Sequence, residues 1–485
     1  MSETLWTAED AAAATGGRAT APFAASGVSI DTRSIAPGDL FVALKDARDG
    51  HDFVGAAFES GASAALVTHR PEGVAKDKPL LILDDVLKGL ERLGAAARAR
   101  SNAVVIGVTG SVGKTGVKEM LRATLGASGL THAPEKSFNN HWGVPLTLAR
   151  MPQSAEYAAI EMGMNARDEI RPLSRLARPH IAIITTVAPV HMAAFASETD
   201  IAFAKSEILQ GLEGPSVAIL NRDNPHFERL RDVAGTKGAR VIGFGENDRA
   251  DARLTECRIK GTSTVVKATL HGRELIFKIG APGRHLAMNA MAVLAAVDAA
   301  GADLAKATMA LSSWAAPDGR GSRWRIALGE AGIDGGIELI DESYNANPTS
   351  ARAALEVLAA AEPISDVGRI AKGRRIAFLG DMLELGPEET AMHAGLAKAE
   401  EAAGVDLIHT CGPRMKALHE ALPTSKRGEW REDSAKLAAD IPRLLDAGDV
   451  AMVKGSLGAR MAKVVDAIRG MGEPRRMEEE TTDAL

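Results

Sequence analysis

Cysteine is nearly absent from this sequence: only Cys257 and Cys411 occur in 485 residues, far apart and outside any CxxC spacing. Neither a disulfide framework nor a structural zinc site is indicated, and a reducing, cytoplasmic setting is expected. Long apolar runs are missing too. No uncharged stretch reaches the roughly 18 residues that a membrane-spanning helix needs. The first ten residues have neither the basic start nor the apolar stretch of a secretory signal. The longest candidate, the Ala-rich run 286–300, carries Asn289 and Asp298 and reads as a buried helix of a folded core. Membrane insertion is not expected. Nor is there a surplus of positive charge: 57 Lys and Arg against 63 Asp and Glu leave a net charge of -6, so no global field recruits nucleic acid or an anionic surface. An anionic ligand must be held locally.

What is present is the composition of a globular chain, 46% apolar and 25% charged, which excludes disorder for most of its length. At about 100–200 residues per domain, the length argues for roughly three. Short apolar runs at 28–30, 40–44, 64–67 and 80–83, punctuated by Pro37-Gly38 and Gly61, predict a small mixed α/β domain over residues 1–100, closed by a helix at 86–100. Five β-rich runs then alternate with helical patterns, at 104–108, 157–160, 181–186, 217–220 and 240–244. Such alternation predicts a mostly parallel sheet with helices on both faces over residues 101–318. The segment 254–279 departs from it as a hairpin pair around Gly261 and Gly272. A second βα alternation, with strands at 338–340, 376–379, 407–410 and 451–453, predicts a Rossmann-like, doubly wound domain over residues 319–475. A disordered tail is expected over 476–485, where no periodic apolar face remains.

The most informative stretch is Val104-Val-Ile-Gly-Val-Thr-Gly110-Ser111-Val112-Gly113-Lys114-Thr115, an apolar strand entering a Gly-rich turn and then a helix. Glycines let backbone N–H groups face phosphate oxygens, Lys114 adds a cation, Thr115 offers a hydroxyl to Mg²⁺, and a helix N-terminus favours the anion. The strict GxxxxGK[ST] pattern would need glycine where Val108 stands, so this is a shortened variant. ATP or GTP binding is expected of it, and the lack of an Asn-Lys-x-Asp tetrad weakens the GTP reading.

Glu161 and His191 follow the next two strands and should emerge at the same edge of the sheet, where ligands bind in open α/β folds. Taken alone, a strand-end glutamate is usually solvated and a lone histidine is usually a surface residue. Together behind a phosphate loop they suit Mg²⁺, which takes oxygen ligands and tolerates an imidazole. Lys205 lies on an amphipathic helix and reads in isolation as one exposed lysine among several. His285 and Asn289, four apart, share a helix face and read equally well as a cap and a satisfied polar residue.

Read together, these segments resemble the Mur ligase family, the ATP-dependent amide-forming enzymes of peptidoglycan precursor synthesis. The match runs through Asp31-Thr-Arg33, the segment 37–44, Thr109 to Thr115, Glu161-Met-Gly163, His191, Lys205, Asn289, Gly319-Arg320-Gly321, Asp341 and Lys454-Gly-Ser456. Within the family the chain is most similar to the member that adds D-alanyl-D-alanine to UDP-N-acetylmuramoyl-tripeptide. The carrying segments are Asn139-Asn140-His-Trp-Gly143, Asp341-Glu-Ser-Tyr344-Asn345-Ala-Asn347-Pro348 and Gly380-Asp381-Met-Leu-Glu384.

The resemblance implies an α/β chain of three domains and a function as a carboxylate–amine ligase working through an acyl phosphate, with ATP and Mg²⁺ as cofactors. Gly110, Ser111, Val112, Gly113, Lys114, Thr115 and Gly116 would hold the phosphates. Asn289, Arg320 and Asp341 would surround the nucleotide. Thr115, Glu161 and His191 would hold metal, as would Lys205 if it carries the N-carbamate of related ligases. Lys114, Glu161, His191, Lys205 and Arg320 would be catalytic. Asp31, Thr32 and Arg33 would receive the UDP part, while Asn139, Asn140, Asn345 and Asn347 would line the substrate cleft. The implied partners are the UDP-linked tripeptide and the dipeptide, acting on a monomer. Gly116, Ala188, Glu342 and His141-Trp142 depart from the usual family pattern, and none removes a group that the chemistry requires. Competing readings are a sister ligase with another acceptor, such as the meso-diaminopimelate-adding enzyme or folylpolyglutamate synthetase, and a P-loop switch or ATPase with no amide product.

Overall fold

The computed structural model describes residues 3–134, 136–190, 192, 194–329, 332–333 and 335–477. Three main sheets follow one another along the chain. The first has five strands in the order Arg18–Ala19, Leu80–Ile82, Ala64–Val67, Asp39–Val42, Gly27–Ser29. All its pairings are parallel except that of Arg18–Ala19, an edge strand. A two-stranded ribbon, Trp6–Thr7 with Ala24–Ala25, lies outside that sheet.

The second sheet has nine strands. Strand Val104–Thr109 is third from one edge, flanked by Tyr157–Glu161 on one side and Ile181–Ile184 on the other, all parallel. The strands that follow it lie first on one side of it and then on the other, which opens a crevice at the carboxyl ends of the strands. The segment 254–279, expected to depart from the sheet, extends it instead: Ala252–Lys260 pairs with Arg240–Gly245, and Ser263–Leu270 and Arg273–Ile279 continue as an antiparallel meander. The Ala-rich helix Arg284–Ala299 packs beneath the sheet, with Leu286, Met291, Val293, Leu294 and Val297 in its core.

The third sheet has seven strands. Parallel strands Leu407–Cys411, Arg375–Gly380, Val450–Lys454 and Gly336–Glu342 carry the doubly wound pattern. Two antiparallel strands that periodicity did not flag, Ser322–Ala327 and Glu473–Arg476, complete one side. The expected tail therefore needs correction at its start, since Arg476 pairs with Trp324 in that sheet and donates to the Ala316 carbonyl at 2.8 Å. Residues 478–485 lie outside the described residues.

The two seams between the sheets differ in chemistry. Helix Val86–Arg100, which closes the first unit, packs on helix Gly143–Ala149 of the second, and Gly94 permits it: a Cβ there would meet the Pro145 carbonyl oxygen at 3.0 Å. Leu146 and Ala149 join the apolar core of the first unit, and Trp6 donates its indole N–H to the Ala149 carbonyl at 2.9 Å. Buried Arg98 adds bonds to the Ala177 and Arg178 carbonyls. Across the second seam hydrogen bonds join the units, including Arg323 to the Gly261 carbonyl at 2.9 Å and Arg320 to Ser137 Oγ at 3.3 Å. Among the described residues no apolar cluster combines side chains from before and after Pro317.

Candidate active site

The crevice of the second sheet is where the phosphate loop runs. Gly110 and Gly113 have φ of 151° and 88°. A Cβ at Gly110 would stand 1.8 Å from Thr185 Oγ1, so only glycine lets the turn pass this close to the neighbouring strand end. Ser111 is buried and clamps the loop: its N–H donates to the Thr186 carbonyl at 2.9 Å, and its Oγ donates to the Ala188 carbonyl at 2.9 Å. Thr185 Oγ1 donates to the Val112 carbonyl at 2.5 Å. Helix Lys114–Gly126 starts directly after, so Gly116 leaves the helix start intact, and Asn289 lies against Gly113.

Lys114 Nζ donates to the Gly110 carbonyl at 2.7 Å. Burial pulls its pKa below the ordinary lysine value, and the Glu161 carboxylate partly opposes that shift. Glu161 is 1% exposed, accepting from Thr115 Oγ1 at 3.0 Å on one oxygen and from Asn139 Nδ2 at 2.8 Å on the other. A buried carboxylate beside a hydroxyl at the mouth of a phosphate loop is a hard oxygen donor set that fits Mg²⁺, the other positions being left to phosphate and water. Among the described residues no three His, Cys, Asp or Glu side chains cluster around a metal position. His191 lies outside the described residues.

Lys205, which the sequence alone offers as a surface lysine, is 2% exposed at the end of helix Glu198–Ser206. Burial and then the like charge of Lys114 push its pKa well below the lysine range, toward the neutral amine. No described residue hydrogen-bonds its Nζ.

The phosphate loop and Glu161 face a cavity of 370 Å³ lined also by the third unit: Arg320, Glu342, Tyr344, Asn345, Asn347 and Lys454 share it with residues 111–116, Asn139, Glu161 and Asn289, while Gly110 and Lys205 lie outside its lining. Arg320 stacks on Tyr344, its guanidinium 4.1 Å from the ring centroid. Buried Lys454 donates to Glu342 at 3.2 Å and to the Asn345 carbonyl at 3.0 Å. Asn347 caps helix Pro348–Ala359.

Several expected residues stand outside the lining. Asp341, next to last on strand Gly336–Glu342, accepts from the Ser343 N–H at 3.0 Å, and burial raises its pKa. Asn140 accepts the Gly143 N–H at 2.9 Å and so shapes the helix after it. Asp31, Thr32 and Arg33 form a short 3-10 turn on the first unit, where the Arg33 guanidinium holds the Asp31 carboxyl at about 2. Sequence reasoning missed Ser137, Trp314, Glu342 and Tyr344 as lining residues and left His285 undecided.

With this geometry in hand, relatives can be weighed. The chain matches the Mur ligase family catalytic domain over residues 24–125, the Mur ligase middle domain over 108–297 and the Mur ligase glutamate ligase domain over 325–457. It is 36% identical to the UDP-N-acetylmuramoyl-tripeptide–D-alanyl-D-alanine ligase of Escherichia coli, over 92% of this chain and 94% of that one. The chain belongs to the Mur ligase family. The Bacillus subtilis enzyme of the same name is 33% identical, over 90% and 92% of the two chains. Among solved Mur ligases, MurF of Acinetobacter baumannii superposes with a TM-score of 0.81 at 27% identity, covering 96% of this chain and 99% of its own. The three Mur ligase domains correspond to the three sheets, and the cavity sits where the second and third meet.

Proposed function

We propose that this Mur ligase joins D-alanyl-D-alanine to UDP-N-acetylmuramoyl-tripeptide at the expense of ATP, as the similarly named relatives do. The observation that carries the reading is one cavity that combines a phosphate loop, the Thr115–Glu161 oxygen pair and Arg320 supplied by the following unit.

Forming an amide from a carboxylate is uphill because its oxygen leaves poorly. In the proposed reaction the tripeptide carboxylate attacks the γ-phosphorus of ATP, the bond to the bridging oxygen breaks and ADP departs, giving an acyl phosphate. The dipeptide amine then adds to the acyl carbon, loses a proton, and expels phosphate. Thr115 and Glu161 would hold Mg²⁺, with His191 as the resemblance implies, and the ion would supply charge neutralisation on the phosphates. Lys114 and Arg320 bring positive charge to the transferring group from two sides. Lys205 is suited to the carbamate proposed for it, because a buried neutral amine adds to CO₂ and releases one proton, and the carboxylate so formed would be a further oxygen donor.

Asn289 against the loop and Asn345 and Asn347 across the cavity bound the substrate space, while Asp31 to Arg33 on the first unit receive the UDP part. Movement of the third unit toward the second would exclude the water that hydrolyses an acyl phosphate. Soluble UDP-linked substrates accord with a monomeric, cytoplasmic enzyme. The test is phosphate release with ATP, Mg²⁺ and the UDP-linked tripeptide, with and without the dipeptide, the products being weighed by mass spectrometry. Release that requires the dipeptide and yields the pentapeptide mass is expected; release indifferent to the dipeptide would reject the assignment.

A further inference from the structure

Ser137 belongs to none of the motifs that carry the family resemblance, yet the parts of the site converge on it. Its Oγ lies 3.1 Å from Thr115 Oγ1 and accepts from Arg320 at 3.3 Å. A hydroxyl has one proton to give. Thr115 gives its proton to Glu161, so the hydrogen between Ser137 and Thr115 is the serine's, and the serine lone pair is free for the guanidinium. The chain of bonds therefore runs in one direction, from Arg320 through Ser137 and Thr115 to Glu161, with Asn139 closing on the other carboxylate oxygen. Donors aligned in this way strengthen one another.

The segment bearing Ser137 is anchored independently of Arg320. Fully buried Lys118 donates to the Pro134 carbonyl at 2.5 Å and pairs with Glu119 at 2.6 Å. At its other end the Gly163 N–H donates to the Asn139 carbonyl at 2.8 Å. Arg320 sits between Gly319 and Gly321, both at positive φ, and its guanidinium lies over the ring of Tyr344. Backbone bonds fix the turn itself, Arg320 N–H to the Pro317 carbonyl at 3.0 Å and Gly321 N–H to the Asp341 carbonyl at 2.8 Å, so what Ser137 adds is a fixed acceptor for the arginine's long side chain.

We propose that Ser137 is a positioning residue for nucleotide binding: it holds Arg320 of the third unit toward the phosphate loop of the second, and acts through that arginine. The inference rests on reading the cavity as a nucleotide site. Its test is the affinity for ADP with Mg²⁺, measured by calorimetry on the full chain for the wild type, Ser137→Ala, Ser137→Thr, Arg320→Ala and the Ser137→Ala/Arg320→Ala double variant. Ser137→Ala should bind about tenfold more weakly, equivalent to about 1.4 kcal/mol, a low value for a bond to a charged group in a half-exposed cleft. Ser137→Thr keeps the hydroxyl and should stay within about threefold of wild type. In the Arg320→Ala background the serine change should cost less than about twofold, because its partner is already gone. An unchanged or tighter Ser137→Ala, equal losses in both backgrounds, or a threonine variant as weak as the alanine one would overturn the role. A wild type that does not bind ADP at all would instead overturn the nucleotide reading on which it depends.

Discussion

Replacing Lys205 by methionine should make this protein more stable and abolish its activity. The lysine is 2% exposed, and burial followed by the like charge of Lys114 moves its pKa far down. In the unfolded chain the amine is protonated at neutral pH; folding strips or strains that proton. Where the unfolded state binds more protons, stability rises with pH. The penalty therefore grows as pH falls from about 10.5 toward the depressed folded value, and it is in force at neutral pH. Methionine has nearly the same length and no charge to desolvate. Removing a poorly compensated buried charge commonly stabilises by about 2 kcal/mol, or ~4–8 °C in the unfolding midpoint of a domain this size. Thermal unfolding of wild type and Lys205→Met at neutral and alkaline pH, with and without bicarbonate, tests the chain of reasoning. The gap should narrow as pH rises, bicarbonate should raise only the wild-type midpoint, and ligation should fall at least about 100-fold in the variant. A methionine variant that melts lower than wild type, or one that still ligates, would refute the argument.

Three further outcomes are expected. Lys114→Ala should lose ligation while its circular dichroism and melting stay near wild type, since the lysine's hydrogen bond is to its own loop; turnover at the wild-type rate would remove it from the chemistry. Glu161→Gln keeps the shape and the Thr115 contact but discards the charge, so the Mg²⁺ concentration for half-maximal rate should rise by about tenfold or more; an unaltered magnesium titration would count against a metal role. In the third unit, burial presses the His409 imidazole down to about 4, where it stacks on Phe378 and accepts the Glu429 N–H at 2.9 Å. An unfolded histidine titrates near 6.5, so stability should fall between pH 6.5 and about 4, by roughly 3 kcal/mol in all. His409→Gln should flatten that part of an acid-unfolding curve, and identical curves for the two proteins would show that other groups govern it.

The phosphate loop was legible in the sequence because strand, glycines and helix start are neighbours along the chain, and Glu161 was legible from its place at a strand end. Lys205 was not. On its helix Phe203 is 45% exposed, covered by Arg229, while Lys205 two residues on is buried. That is the reverse of what hydropathy predicts, and such reversals are expected where function overrides local preference. Ser137 was hidden for another reason: its partners lie 22 and 183 residues away, and only the fold brings them together. The strands Ser322–Ala327 and Glu473–Arg476 escaped because the first interleaves Trp324 and Ile326 with Ser322, Arg323 and Arg325, and the second, at the sheet edge, is Glu-Pro-Arg-Arg with no apolar face. Asp341 shows the converse, a motif residue whose carboxylate is occupied with its own turn.

The unequal seams have a pharmacological consequence. The first unit is joined to the second through shared apolar side chains, whereas the third meets it through polar contacts that water can replace. A small molecule wedged into the second seam would inhibit by propping the enzyme apart, and it need resemble neither a nucleotide nor a peptide. Resistance to such a compound should map to the loops that face each other across this seam, leaving the phosphate loop and Arg320 untouched.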